Sequence, residues 1–275
     1  SGDGTEDDTE ALQGCIDYAF ENGGMAVYFP NGVYLSNSLE LKDGVSLIGA
    51  GRYNSKIVLK GGATLPLINS NSINNEISNL SLDGNADVQV NNLNLIDMNG
   101  SNYLFSNLLL NDGYELIHLL TTAGHIEINN IVCEKATVKH IFVNGIATVQ
   151  VNNVICNSLS GIYAEACIDN RVNNAMYTNI KCNAITPKAL INSGNNCLFE
   201  MNVNNALSDY TDIGNNNTIK IIGKSIKENL SGNKSVEANN SIETLDGNKT
   251  VNAIDSTENL SGNKSVEANN SIETL

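Results

Sequence analysis

The sequence predicts an all-β protein: a right-handed parallel β-helix with one N-terminal capping α-helix, followed by a trimeric intertwined β repeat. Three observations predict it. A short motif recurs at a period near 23 residues. Of 275 residues, 47 are Asn, while aromatics make up 5% and Trp is absent. The last stretch divides into strict 15-residue units. A compact globule of this size buries more aromatic mass. Asn is poor in helix interiors and good in turns and left-handed positions. Many short strands joined by many tight turns are therefore expected.

Residues 1–60 should hold the capping helix and first strands. Asp7 and Glu10 have the spacing of a capping box. Ala11, Leu12, Cys15, Ile16, Ala19 and Phe20 then share one helical face, and Gly23-Gly24 ends the helix. Strand-like runs follow at Met25–Phe29, Tyr34–Leu35, Leu39–Leu41 and Val45–Gly49. They are separated by Pro30-Asn31-Gly32 and Lys42-Asp43-Gly44. A single amphipathic helix before a run of strands suits a lid over an open sheet edge.

Residues 61–222 should form the coils. Asn79, Asn107, Asn130, Asn153, Asn179 and Asn202 are the shared position of six segments of the pattern polar-Asn-X-X-X, recurring at steps of 28, 23, 23, 26 and 23. Ile68, Ile96, Ile117, Ile141, Ile162 and Leu190 recur in step. Short strands repeating at this period mark a β-solenoid. Coils stack about 4.8 Å apart, so equivalent side chains form columns. The Asn column should make an amide ladder at a turn. Leu80, Ile131, Val154, Ile180, Leu82, Cys133, Cys156 and Cys182 should face inward. The six Cys show neither a CxxC pair nor zinc-type spacing and read as free thiols serving as small core hydrophobes. No metal and no cofactor is expected.

Residues 223–275 should form a stem. Ser231–Leu245 and Ser261–Leu275 are identical, and Asp246–Leu260 is a variant. Each unit has few apolar groups, and fifteen residues are fewer than a closed single-chain coil with its own core is expected to need. A disordered polar tail is one reading. The strict period and the Ser-Gly-Asn and Asp-Gly-Asn turns favour three chains winding together, hence a homotrimer.

The formal charge is −15, and Arg52 and Arg171 are the only arginines. Nucleic acid needs clustered cations, and an anionic membrane needs them too. Neither partner is expected. A neutral or basic glycan fits better. The abrupt start at Ser1 and the stop inside a repeat at Leu275 are what a piece of a longer chain would show.

Gly2-Asp3-Gly4-Thr5-Glu6-Asp7-Asp8-Thr9-Glu10-Ala11-Leu12-Gln13, Gly23–Leu35 and Gly44-Val45-Ser46-Leu47-Ile48-Gly49-Ala50-Gly51 together resemble the opening of the pectate-lyase-like right-handed β-helix superfamily, in the form met in phage tailspikes and preneck appendages. The 15-residue units resemble the intertwined triple-stranded β-helix of phage needles and spikes. The resemblance implies a homotrimeric phage tail appendage. It would sit on the virion outside the cell and bind a host-surface glycan or teichoic-acid-like polymer. Alternatives on the same scaffold are a depolymerase, hydrolase or lyase, and a structural spike whose binding segments lie elsewhere.

Outward positions one residue after the Ile column read Asn69, Asp97, His118, Phe142, Tyr163 and Ile191. The next outward positions include Leu120, Asn144 and Glu165. Asp97, Glu115 and Glu165 are the candidate catalytic carboxylates, because glycosidases need two on one groove. His118, Lys139 and Tyr163 are the candidate substrate-binding residues, and His118 or Lys139 could serve as the base of a lyase. Asp97 and Glu165, three coils apart, would be about 14 Å from each other. Phe142 and Ile191 suggest that this face packs against a loop or another protomer.

Overall fold

The computed structural model describes residues 2–159, 165–183, 188–204, 210–230, 234–245, 249–254, 257–260, 264–269 and 272–274. It is a right-handed solenoid of parallel strands with, among the described residues, a single α-helix near its start and one short 3-10 turn at Ala86–Val88. The Ile column stacks in register: Leu39, Ile68, Ile96, Ile117, Ile141, Ile168 and Leu190. Its inward side chains are buried in one continuous core.

The amide ladder forms where the spacing places it. Asn79, Asn107, Asn130, Asn153 and Asn179 all have φ between 52° and 57°. Each Nδ2 donates to the Oδ1 of the preceding Asn, at 2.6, 3.1, 3.2 and 3.1 Å along the series. The left-handed residue turns the chain from one strand into the next. Asn tolerates this conformation because its short polar side chain bonds locally. Leu80, Ile131, Val154 and Ile180 point inward beside this corner, with Leu82, Cys133, Cys156 and Cys182 behind them.

Asn202 is not a rung of this ladder. Tyr177 pairs with Phe199 but Ile180 with Met201, so the upper coil is one residue shorter and Asn202 lies opposite Lys181. The left-handed residue is what has been dropped. A second ladder, absent from the sequence reading, links Asn174, Asn196 and Asn216 at 3.3 Å per step. The outward polar stripe Asp83, Asn111, Glu134, Asn157 and Asn183 is also cross-bonded, for example Asn157 to Glu134 at 3.1 Å and Asn183 to Asn157 at 2.9 Å.

The helix runs Thr9–Glu21 and starts one residue later than the capping box suggests. Asp8 takes the cap position, and the Asp7 carboxylate instead accepts the Thr9 N–H at 3.0 Å and binds Lys60 at 2.8 Å. Leu12, Ile16 and Ala19 face the core, whereas Ala11, Cys15 and Phe20 are exposed. The 3.6-residue period makes the apolar stripe narrower than the six-residue list. Gln13 serves the lid directly: its amide donates to the Glu40 carbonyl at 3.1 Å and accepts the Glu40 N–H at 2.9 Å, satisfying a strand edge.

The cysteines are not all free thiols. Cys167 and Cys182 form a disulfide across the core, and Cys15 is a surface residue; Cys133, Cys156 and Cys197 are buried thiols. Sequence spacing could not show the cross-core pairing, because the two residues belong to different sides of one coil.

At the far end, Lys234 pairs with Lys249 and Lys249 with Lys264, all parallel at a shift of 15. Leu245 likewise pairs with Leu260. The short units thus find partner strands in their own successors, where three chains winding together would supply them from neighbours. No described helix is long and apolar enough to cross a membrane.

Candidate functional site

The outward column beside the Ile stack runs Asn69, Asp97, His118, Phe142, Asp169 and Ile191. Asp169 stands where the period placed Tyr163. Ile141 pairs with Ile168, not Ile162, so this coil is 27 residues long. Tyr163 itself lies outside the described residues. The same shift places Arg171 opposite Asn144, the position assigned to Glu165. Glu165 reaches the face from the start of its strand, where its N–H bonds to the Val138 carbonyl at 2.9 Å.

Lys139 is the centre of the face. Its Nζ lies 3.4 Å from Glu115, 3.0 Å from Glu165 and 3.1 Å from Asp169. Burial works against the ammonium charge, but Glu165, Glu115 and Asp169 outweigh it and hold the pKa above the ordinary lysine value. Arg171 clamps Asp169 with two bonds, 3.1 Å from Nε and 3.0 Å from Nη2. Asp169 is wholly buried under these two cations. Such a two-pronged guanidinium–carboxylate pair is both strong and directional.

His118 Nδ1 meets Glu115 Oε2 at 2.5 Å. Burial pushes its pKa down, yet the Glu115 bond and the charges of Glu115 and Asp97 raise it on balance. Asp97 is its register partner one coil away and accepts the Asn94 amide at 2.8 Å. Phe142 is buried beneath its own neighbours rather than left for a loop or protomer. Its ring centroid is 4.7 Å from that of His118, and Lys139 Nζ and Arg171 Cζ lie 4.7 and 4.9 Å from it. Cations over an aromatic face are attracted by its quadrupole.

Glu115, Glu165, His118 and Lys139 therefore converge, with Asp97 at one end. Asp169, Arg171 and the buried Phe142 complete the group. The signal for Asp169 was present: Ile168-Asp169 repeats Ile96-Asp97, an inward Ile followed by an outward Asp. Glu115 and Glu165 each touch one Nζ, so the contacting oxygens are at most about 6.4 Å apart, the sum of the two contacts. Only Glu165 of this pair is substantially exposed. Lys139 pairs with both carboxylates, and His118, bonded to Glu115, is the group placed to carry a movable proton. A cluster with metal-ligand atoms, His140, Cys156 and Cys167, lies elsewhere, inside the core.

Residues 1–271 match the family described as rhamnogalacturonase A/epimerase, pectate lyase-like. Mannuronan C5-epimerase AlgE3 of Azotobacter vinelandii is 38% identical over 101 residues, 31% of this chain and 6% of the relative; the match spans a small part of that protein's length. The A-module of mannuronan C-5 epimerase AlgE6 from the same organism superposes with a TM-score of 0.55 at 15% identity, covering 100% of this chain and 97% of the module. The tailspike protein gp49 of Acinetobacter baumannii bacteriophage Fri1, a capsular polysaccharide depolymerase, gives a TM-score of 0.53 at 12% identity over 97% of this chain and 60% of gp49. At these identities the structural likeness is one of fold. With the family match running nearly end to end, the chain belongs to the rhamnogalacturonase A/epimerase, pectate lyase-like family.

Proposed function

We propose that this chain is part of a phage tail spike or appendage that grips host-surface or cell-wall polysaccharide as a homotrimer, with the outward face around Lys139 as its contact surface and residues 223–275 as the trimeric stem. The observation that carries the glycan reading is the convergence of Asp97, Glu115, His118, Lys139, Glu165, Asp169 and Arg171 on one face of consecutive coils. Coulombic pairing consumes most of the charge there, so a neutral or basic sugar chain held by hydrogen bonds suits the face better than a polyanion. The phage assignment rests on the opening motif and the 15-residue units. Retention of the protein on purified cell wall or capsular polysaccharide tests it. Glu165→Gln with Arg171→Ala should weaken retention about tenfold or more; undiminished retention would move the binding surface elsewhere.

A second reading, a depolymerase, is favoured by the exposed Glu165 and the Glu115-bonded His118 meeting on one groove around Lys139. Here Glu165 acts as base and His118, whose protonated form the Glu115 bond favours, as acid. A reducing-end and unsaturated-product assay on the bound polymer decides it. Products that persist unchanged in Glu165→Gln and His118→Ala would rule out this assignment.

A further inference from the structure

Two inward columns face each other across the core. One follows the ladder corner: Leu110, Cys133, Cys156, Cys182 and Val203. In the other, the pairs Lys139↔Ala166 and Ile141↔Ile168 put His140 and Cys167 on neighbouring rungs. Next to this block both columns return to aliphatic residues, with Leu110, Leu116, Ala189 and Val203 all buried. Cys133, Cys156, Cys167, Cys182 and the His140 imidazole are thus gathered in the two facing columns, while the buried Cys197 packs against Asn170 and Val172. Their ligand atoms are close: those of His140, Cys156 and Cys167 lie within 4.8 Å of one another. Cys182 Sγ is bonded to Cys167 Sγ and so is carried to the same place.

His140 supplies an independent sign that something belongs there. It is completely buried. Its Nε2 lies 3.0 Å from the Ser158 carbonyl, an acceptor, so Nε2 carries the hydrogen. The lone pair is then on Nδ1, and among the described residues that atom has no hydrogen-bond partner. A neutral imidazole donating one N–H to a backbone carbonyl while the other nitrogen stays bare is how proteins orient a histidine metal ligand. Burial holds the ring neutral, with a pKa lowered to about 4.

We propose that, once the Cys167–Cys182 bond is reduced, His140, Cys156, Cys167 and Cys182 form a buried four-coordinate site for a thiophilic divalent cation of the zinc class. Three thiolates and one imidazole are a closed, structural donor set for such an ion. A tetrahedral ion with bonds of about 2.3 Å sets its sulfurs about 3.8 Å apart, so the donors need to draw in by about an ångström. The reductant is a dithiol, which leaves as its own disulfide after delivering two electrons and two protons to the two sulfurs. The cation then displaces three thiol protons, from Cys156, Cys167 and Cys182, while His140 gives a lone pair and releases none. Oxidised, the core is closed by the disulfide; reduced, it is closed by the metal.

Full-length protein, reduced without oxygen by a water-soluble phosphine and still folded by circular dichroism, should take up one Co²⁺ per chain. The visible ligand-field bands of sulfur-rich tetrahedral cobalt should appear, and Zn²⁺ should displace them. Oxidised protein should show none. Cys156→Ala and His140→Leu should each weaken Co²⁺ binding by about 100-fold, and Cys15→Ser should leave it unchanged. Independently, protein made in a reducing cytoplasm and purified without oxygen should carry one zinc per chain by mass spectrometry. Folded, reduced protein that takes up no cobalt, bands that survive both core variants, bands lost with Cys15→Ser, or anaerobic protein that is folded and metal-free would each overturn the site.

Discussion

Two histidines in adjoining coils have opposite electrostatic surroundings, and each has a distinct signature. His118 is held above its ordinary pKa by Glu115 against the pull of burial. Its contribution to stability is complete below the unfolded value, about 6.5, and is lost as pH rises through the higher folded value. Glu115→Gln removes the bond and the charge, so the His118 ring resonances in an NMR titration should move at lower pH than in wild type. His140 runs the other way, its pKa lowered to about 4 by burial. Its contribution is present above about 6.5 and fades as pH falls from there through about 4, an effect of about 3 kcal/mol at most. Urea midpoints at pH 7 and pH 4.5 should differ less in His140→Leu than in wild type, the chain being compared with its disulfide intact.

The corner of the coil is the element that repeats, and its energetics can be isolated at one rung. Asn130 has φ 57°, donates to Asn107 at 3.1 Å, accepts from Asn153 at 3.2 Å, and its carbonyl accepts from Arg52 at 3.2 Å. Asn130→Ala forces an ordinary side chain into the left-handed region, about 1–2 kcal/mol, and removes two amide bonds, about 1 kcal/mol each. A loss of about 3 kcal/mol in urea unfolding is expected. Asn130→Gly keeps the backbone conformation available and should lose less than Asn130→Ala; equal losses would mean the ladder, not the turn, carries the rung. The corner was legible because a left-handed position selects a narrow residue class and the stacking repeats it at nearly constant steps. The face beside the Ile column was legible only up to Phe142. Beyond it, the coil from Ile141 to Ile168 is longer than its neighbours, and spacing alone cannot say where extra residues leave the spiral. Ile162 is an equally good apolar candidate for the column by spacing, so the period alone points to Tyr163 and not to Asp169. Asn202 illustrates the reverse case: a residue of the right type at the right spacing, displaced because its own coil has lost the turn residue that Asn179 supplies in the coil beneath. The disulfide left no trace in sequence because pairing across a core depends on which way two columns face.

As a whole, the molecule is a stack in which each coil meets the ones directly above and below, so its stability is approximately a sum of coil-to-coil interfaces along one continuous core. The 15-residue units extend the stack with the same parallel pairing. Whether three copies join along that thin section is a property of the assembly. Sedimentation or light scattering of the full chain should give a species near 88 kDa, about three times 29.4 kDa, and removal of residues 223–275 should return a monomer. A full chain that stays near 29 kDa at micromolar concentration would remove the stem from the proposal and leave the glycan face to be tested alone.

The disulfide has a mechanical corollary. Cys167 and Cys182 are 15 positions apart and belong to one turn of the spiral, since the next return to the column comes only at Leu190. The bond is a hoop around a barrel, not a rivet between staves. A protease nicking the backbone inside that loop would leave both fragments tethered, and opening the hoop would slacken one storey while those above and below keep their own attachments.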